Sequence, residues 1–519
     1  DKDKGIFILD RNDFNDNEVA EKIADIIGEM SVLEEQQMKE AREKAYKISR
    51  ITLWPKLLEY YKDAFNIAFT KVADRVESFV ETLRVQHLPE VDTYLDQQPK
   101  WRKVIVQQNI PEELTPLEEL SKNIWWSWNP DAEKIFHAVD PELWKESNKN
   151  PIKMLDRIPY SRFLRLVQNE DFRNNLESVY RRFRNYIDSA SDERPEVAYF
   201  SMEYGLHDSL KIYSGGLGLL AGDYLKEASD HNYNLVGIGL LYRFGYFRQE
   251  LSAEGEQISI TDPLQFSKMP VSPVQDENGQ WKEISIVFPG RELKARIWRV
   301  DVGRVKLFLL DTDFESNDVH DRSITHQLYG GDNENRFKQE MLLGIGGIRA
   351  LRTLGYDPDL FHCNEGHAAF IGLERLREYI ESKSMTFPEA LEVVRASTLF
   401  TTHTPVPAGH DYFDENMLRT YMSHYPDRLR IDWNQFMNLG KMHVNKPNEK
   451  FSMSCLAVNL SRDVNGVSRL HGAVSQEMFK DMWKGYLKEE VPIGYVTNGV
   501  HLPTWVSDRW RELYNVHID

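Results

Sequence analysis

Apolar and polar residues alternate along this chain in three successive regimes. In the first, Val19, Ile23, Ile26, Ile27 and Met30 recur at helical spacing, and Ser31-Val32-Leu33-Glu34 has the capping-box pattern that starts a second helix. Trp54, Leu57, Leu58, Tyr61, Phe65 and Ala68 make the stripe of a third helix, and Gly5-Ile6-Phe7-Ile8-Leu9-Asp10 reads as a strand. Residues 71–110 are polar and irregular, with Gln97-Gln98-Pro99 and Pro111 flanking Trp101 to Gln108, and read as a linker. In the second regime, 111–190, the spacing is helical, including Pro116 to Trp128 and Phe163 to Ile187. On such an amphipathic helix the triple Trp125, Trp126, Trp128 reads as core rather than as a sugar-stacking platform. In the third, 191–519, short apolar runs alternate with helical stretches, as a doubly wound α/β domain requires.

The third regime contains the most informative stretch, Tyr213-Ser214-Gly215-Gly216-Leu217-Gly218-Leu219-Leu220-Ala221-Gly222-Asp223, a glycine pair at the mouth of an apolar helix. Without Cβ atoms the backbone there comes close to a ligand, and the free N–H groups of the helix start point at a phosphate or sugar oxygen. A tight turn kept only for packing is the competing reading. Upstream, Ala198 to Tyr204 is strand-like, and downstream Gly237 to Tyr242 is another strand, so the unit reads as βαβ with parallel strands. A dinucleotide site needs an acidic residue about 20 residues beyond its glycines, at the end of the next strand. That strand ends in Leu241-Tyr242-Arg243, which disfavours a dehydrogenase.

Charge and composition narrow the partners. With 64 Lys+Arg against 82 Asp+Glu the net charge is −18, which repels nucleic acid and anionic membrane but leaves a neutral sugar unaffected. Only Cys363 and Cys455 occur, too few for a disulfide framework, which points to a reducing cytoplasm. No apolar run approaches the roughly 18 residues of a membrane helix. His362, His367, His403 and His410 lack the spacing that puts metal ligands on one helix face, so no metal site is expected.

Six blocks follow one another in a telling order: Asn123-Ile124-Trp125-Trp126-Ser127-Trp128-Asn129-Pro130, the glycine turn, Tyr329-Gly330-Gly331-Asp332, Asn364-Glu365-Gly366-His367, Thr402-His403-Thr404-Pro405-Val406-Pro407-Ala408-Gly409-His410 and Thr497-Asn498-Gly499-Val500-His501. With them the chain resembles the α-glucan phosphorylases, the glycogen and maltodextrin phosphorylase family, in its shorter bacterial form. Starch and bacterial glycogen synthases share the architecture but carry a lysine two residues before the glycine pair, where this chain has Tyr213. Residues 1–70 resemble the C-terminal tail of a eukaryotic-type glycogen synthase through Gly5 to Arg11 and Trp54 to Tyr61; a small helical cap is the alternative.

The resemblance implies an α/β fold: the N-terminal Rossmann-like lobe of a two-domain, GT-B type glycosyltransferase, preceded by helical segments. It implies transfer of a glucosyl unit from an α-1,4-glucan to inorganic phosphate with pyridoxal phosphate as cofactor. By position, Gly215, Gly216 and Leu217 match the turn that faces phosphate and sugar, His403 and Asn498 the residues that hold the terminal glucose, and Glu203, Glu365 and His367 polar positions beside it. Glu365 replaces an aspartate of the longer enzymes. Asp332 and Asn333 match the active-site gate only loosely, because the loop is shorter here. The cofactor lysine belongs to a C-terminal domain that this chain stops short of, and no lysine follows Lys488. The chain therefore reads as an internal fragment of a cytoplasmic enzyme, without a catalytic residue of its own and inactive alone. A homodimer is left open for the parent. A silent glucan-binding domain and part of a nucleotide-sugar-dependent glucan synthase are the alternatives.

Overall fold

The computed structural model of the chain describes residues 7, 9, 16–49, 110–190, 196–406 and 409–517. The chain divides into two compact units, Asp1–Lys103 and Val104–Asp519. In the first, the described residues form helices Asp16–Ser31 and Glu35–Ser49. Val19 is buried there, whereas Ile23 and Ile27 are exposed. The expected capping box does not form. Ser31 still belongs to the first helix and its hydroxyl donates to the Gly28 carbonyl, while the Glu34 N–H at the second helix start is taken by the Gln37 side chain. The strand expected at Gly5–Asp10 lies outside the described residues except for positions 7 and 9; the helix expected over Trp54–Ala68 and the linker to 109 lie wholly outside them.

The second unit opens with short helices whose starts follow from sequence. Pro130, Pro141 and Pro151 each sit in a first turn, where a missing N–H is not needed, and Asp140, Asn150 and Asn169 accept N–H groups from Leu143, Lys153 and Phe172. The single helix expected over Pro116–Trp128 is broken. It ends at Lys122, and Asn123 turns extended, its Oδ1 accepting the N–H groups of Trp125 and Gly303. A tight 3₁₀ turn, Ile124–Trp128, then drives all three tryptophans into the core at 2–4% exposure, Trp126 edge-on against Phe136 and Trp144.

A ten-stranded sheet carries the rest. Its parallel strands are 493–495, 463–466, 398–401, 360–364, 197–200, 235–240 and 305–311, in that spatial order. Three strands (291–302, 272–273 and 283–288) extend the 305–311 side in antiparallel fashion, an addition that the alternating pattern of the sequence did not announce. The chain starts at 197–200 in the middle, winds outward to 235–240 and 305–311, then crosses back to 360–364 on the other side of its starting strand. Between 197–200 and 360–364 the loops leave the carboxyl edge in opposite directions, which opens a crevice where sheets of this kind bind ligands.

The glycines of the turn divide into two kinds. A Cβ on Gly222 would stand 2.1 Å from the Gly205 carbonyl oxygen, and one on Gly218 would stand 2.6 Å from Tyr213 Cβ, so these two exist for close packing of helix Gly216–Asp230. A Cβ on Gly215 or Gly216 would meet nothing within 4 Å, and neither residue has positive φ. Packing explains the first pair and leaves the second unexplained.

Candidate functional site

At that crevice lies a cleft of about 630 Å³. Its lining brings together Leu217 from the glycine turn, Asp332 and Asn333 from the loop after Tyr329, Glu365 and His367 from the end of strand 360–364, and His403 from the end of strand 398–401. Six of the ten residues expected at the site therefore meet in one cavity.

Glu365 is its most constrained residue. It is nearly buried and holds φ +78, a region that non-glycine residues rarely occupy and that costs about 1–3 kcal/mol. The contacts that hold it there are backbone amides: Oε1 accepts the Gly366 N–H at 3.1 Å and Oε2 the His403 N–H at 2.7 Å. Burial pushes its carboxyl up to about 7, although these N–H groups favour the charged form. The folded pKa thus lies above the unfolded one. The group's stabilising contribution is full below about pH 4.5 and is lost as pH rises to about 7, on the order of 3 kcal/mol across the window. Glu365→Gln removes this titration. Unfolding free energy of the wild type relative to the variant should fall between pH 4.5 and 7.5, and parallel pH profiles would show that Glu365 is ionised throughout.

His403 is oriented by its neighbour. Its Nε2 lies 2.6 Å from Asn364 Oδ1, while Asn364 Nδ2 donates to Ser201 Oγ at 3.1 Å. The amide oxygen can only accept, so Nε2 carries the proton and Nδ1 remains an acceptor. Burial lowers the imidazole to about 4 and keeps it neutral at physiological pH. His367 is likewise lowered by burial, to about 3, and its Nε2 accepts the Met202 N–H at 3.1 Å.

Glu203 sits beneath the cleft instead of lining it. Buried at 2% exposure, it accepts the N–H groups of Ser214 and Gly215 through Oε2 and the Tyr329 hydroxyl through Oε1 at 2.5 Å. Its carboxylate thus ties the glycine turn to the loop that carries Tyr329. With the Gly215 N–H already taken, the next amides of the helix start, those of Gly216 and Leu217, are the ones left for a ligand. Asp332 has a structural duty as well, since its side chain accepts the Asn335 N–H at 2.9 Å and caps helix Asn333–Met341. Asn498 leaves the same sheet edge two strands from His403. It is exposed, its N–H donates to the Val467 carbonyl, and it does not line the cleft.

Arg336 and Asp411 line the cleft without having been singled out from sequence, and Tyr329 and Thr404, which stand in two of the quoted blocks, line it without having been expected as site residues. Arg336 pairs with Asp411 at 2.9 Å and with the buried Glu340 at 3.1 Å, and its guanidinium lies 4.7 Å from the centre of the Tyr329 ring. Burial, then Asp411, pushes the Glu340 carboxyl well above the usual range. The signal was present: once Asp332 is recognised as a helix cap, Arg336 and Glu340 fall one turn apart on the inward face. Among the described residues no group of three or more His, Cys, Asp or Glu is arranged to hold a metal, and no helix is long and apolar enough to cross a membrane.

Residues 352–517 match the carbohydrate phosphorylase family, and residues 110–210 match a family of proteins of unknown function (DUF3417). The chain is 43% identical over 422 residues to a maltodextrin phosphorylase of Thermococcus litoralis, a match covering 80% of this chain and 50% of that relative. It is 40% identical over 437 residues to a glycogen phosphorylase of Mycobacterium tuberculosis, covering 79% and 50%. A glycogen phosphorylase of Aquifex aeolicus is 37% identical over 410 residues, covering 78% and 58%. The chain spans about half the length of the curated relatives it matches.

Proposed function

The chain belongs to the α-glucan phosphorylase family, and from that premise we propose that its cleft is the sugar-binding wall of a site where an α-1,4-glucan and phosphate give glucose 1-phosphate. The observation that carries this reading is the convergence of the open glycine turn, the oriented neutral His403 and the strained Glu365 at one sheet edge. His403 Nδ1 accepts from a sugar hydroxyl. The Gly216 and Leu217 amides, at the positive end of their helix, face an oxygen carrying negative charge. Glu203 keeps the turn and the gate loop in register, and Glu365 fixes the His403 amide.

Pyridoxal phosphate would supply acid–base chemistry through its phosphate group. The described residues do not fit its covalent attachment, because no lysine lines the cleft and the cation that does, Arg336, is committed to Asp411 and Glu340. The same observation favours the chain acting alone as a glucan-binding wall without turnover. On this reading the chain divides into a synthase-like tail (1–70), a linker (71–110), a helical region (111–190) and an α/β domain (191–519). Incubation of the purified chain with maltoheptaose, phosphate and pyridoxal phosphate should give no sustained glucose 1-phosphate. Sustained release, or a borohydride-fixed pyridoxyl-lysine at one site, would contradict the absence of turnover.

A further inference from the structure

The segment that follows strand 493–495 runs along the neighbouring stretch of chain to a buried anchor. Residues 496–500 are exposed, with Val496 and Asn498 donating N–H groups to Gly466 and Val467. The next residue, His501, is at 1% exposure. Its Nε2 lies 3.2 Å from Asp230 Oδ2, and its backbone N–H donates to Asp223 Oδ2 at 3.1 Å, where the Trp505 indole N–H also donates at 2.7 Å. Both carboxylates belong to the helix that begins at the glycine turn.

The cluster is closed from the helical region. Trp128 Nε1 and the Tyr186 hydroxyl donate to Asp230 Oδ1 at 3.2 and 2.7 Å, and the Trp128 ring meets the His501 imidazole edge-on at 5.6 Å. The donors and acceptors run in one consistent direction: the buried Lys226 ammonium donates to Thr504 Oγ1 at 3.1 Å, Thr504 donates to His501 Nδ1, and His501 Nε2–H donates to Asp230. Burial opposes charge on Asp230, but the hydrogen bonds from His501, Tyr186 and Trp128 hold its carboxyl below the usual range. Removing one member leaves buried partners unpaired, so the cluster acts as a unit.

We infer that the helical region, which matches a family of unknown function, is a brace: through Trp128 and Tyr186 it closes the buried cluster that fixes His501, and so sets the position of the loop carrying Asn498 at the sheet edge that also bears the cleft. The part played by Asn498 rests on the glucan reading above. The brace itself does not, since it stands on the contacts alone. Trp128, Tyr186 and Asp230 are positioning residues that touch no substrate.

Hydrogen–deuterium exchange of the full chain tests this with Asp230→Asn and with Trp128→Phe, which keeps a ring against His501 but removes the donor. Amides of residues 497–505 should exchange about tenfold faster in Asp230→Asn and several-fold faster in Trp128→Phe, with strands 197–200 and 360–364 unchanged. In Asp230→Asn, maltoheptaose should bind about tenfold more weakly. Unchanged exchange over 497–505 in both variants, or equal acceleration across the sheet, would overturn the brace. Faster loop exchange with wild-type maltoheptaose affinity would overturn its link to the sugar. If the wild type itself binds no maltoheptaose, the glucan reading fails, and the exchange data still decide the brace.

Discussion

Gly222→Ala should destabilise the α/β unit by about 3 kcal/mol or more, while Gly215→Ala should cost almost nothing. The new methyl at 222 would stand 2.1 Å from a backbone carbonyl oxygen, which cannot move aside as a flexible side chain could. At 215 the backbone is extended, φ −150 and ψ −159, which alanine adopts freely, and nothing lies within 4 Å of the added carbon. Removing chain entropy from the unfolded state can even make that change slightly stabilising. Ligand affinity should show the opposite ranking, with Gly215→Ala and Gly216→Ala weakening maltoheptaose roughly tenfold because the methyl occupies the space a sugar would take. Urea unfolding and calorimetric titration of the same variants measure both quantities. If Gly215→Ala destabilised as much as Gly222→Ala, the pair would be a packing turn and the ligand reading of the turn would fail.

His403→Ala is expected to weaken maltoheptaose binding by about 1–3 kcal/mol, or roughly 5- to 150-fold in Kd. Where a cofactor-bearing lobe completes the site, phosphorolysis should fall by about 2–4 kcal/mol in transition-state terms. Neutral and held by Asn364 at 2.6 Å, the imidazole presents one acceptor in a fixed direction, so its loss removes an interaction organised before binding. Folding should survive with a cost of about 1–2 kcal/mol, since the Asn364 carbonyl is left without its donor. A thermal melt of the variant separates this cost from lost affinity.

Much of this was legible in the sequence, and for identifiable reasons. The parallel strands and the glycine-turn helix were readable because alternation of apolar runs and turn residues is local information. Glu365, His367 and His403 came together as expected because each directly follows a parallel strand, and the carboxyl ends of neighbouring strands share one edge. What escaped depends on partners distant in sequence. Helix Thr115–Lys122 stops because Asn123 finds Gly303, 180 residues away. Glu203 lies under the cleft because two turn amides and Tyr329 converge on it. Arg336 enters the cleft because Asp332 caps the helix that carries it, and its partner Asp411 lies 75 residues away. Ser31-Val32-Leu33-Glu34 misled because a capping-box pattern does not reveal whether its serine is still inside the preceding helix. Asn498, expected against the glucose, is exposed and does not line the cleft, because the strand it follows lies two places from the one that His403 follows.

Isothermal titration of the purified chain with maltoheptaose, beside the β-1,4-linked cellohexaose and the His403→Ala variant, tests the glucan-binding claim most directly. Saturable one-site binding of maltoheptaose, none of cellohexaose, and a loss of about 5-fold or more in His403→Ala are the expected results. Absence of maltoheptaose binding, or equal affinity in wild type and variant, would contradict a sugar site in this cleft.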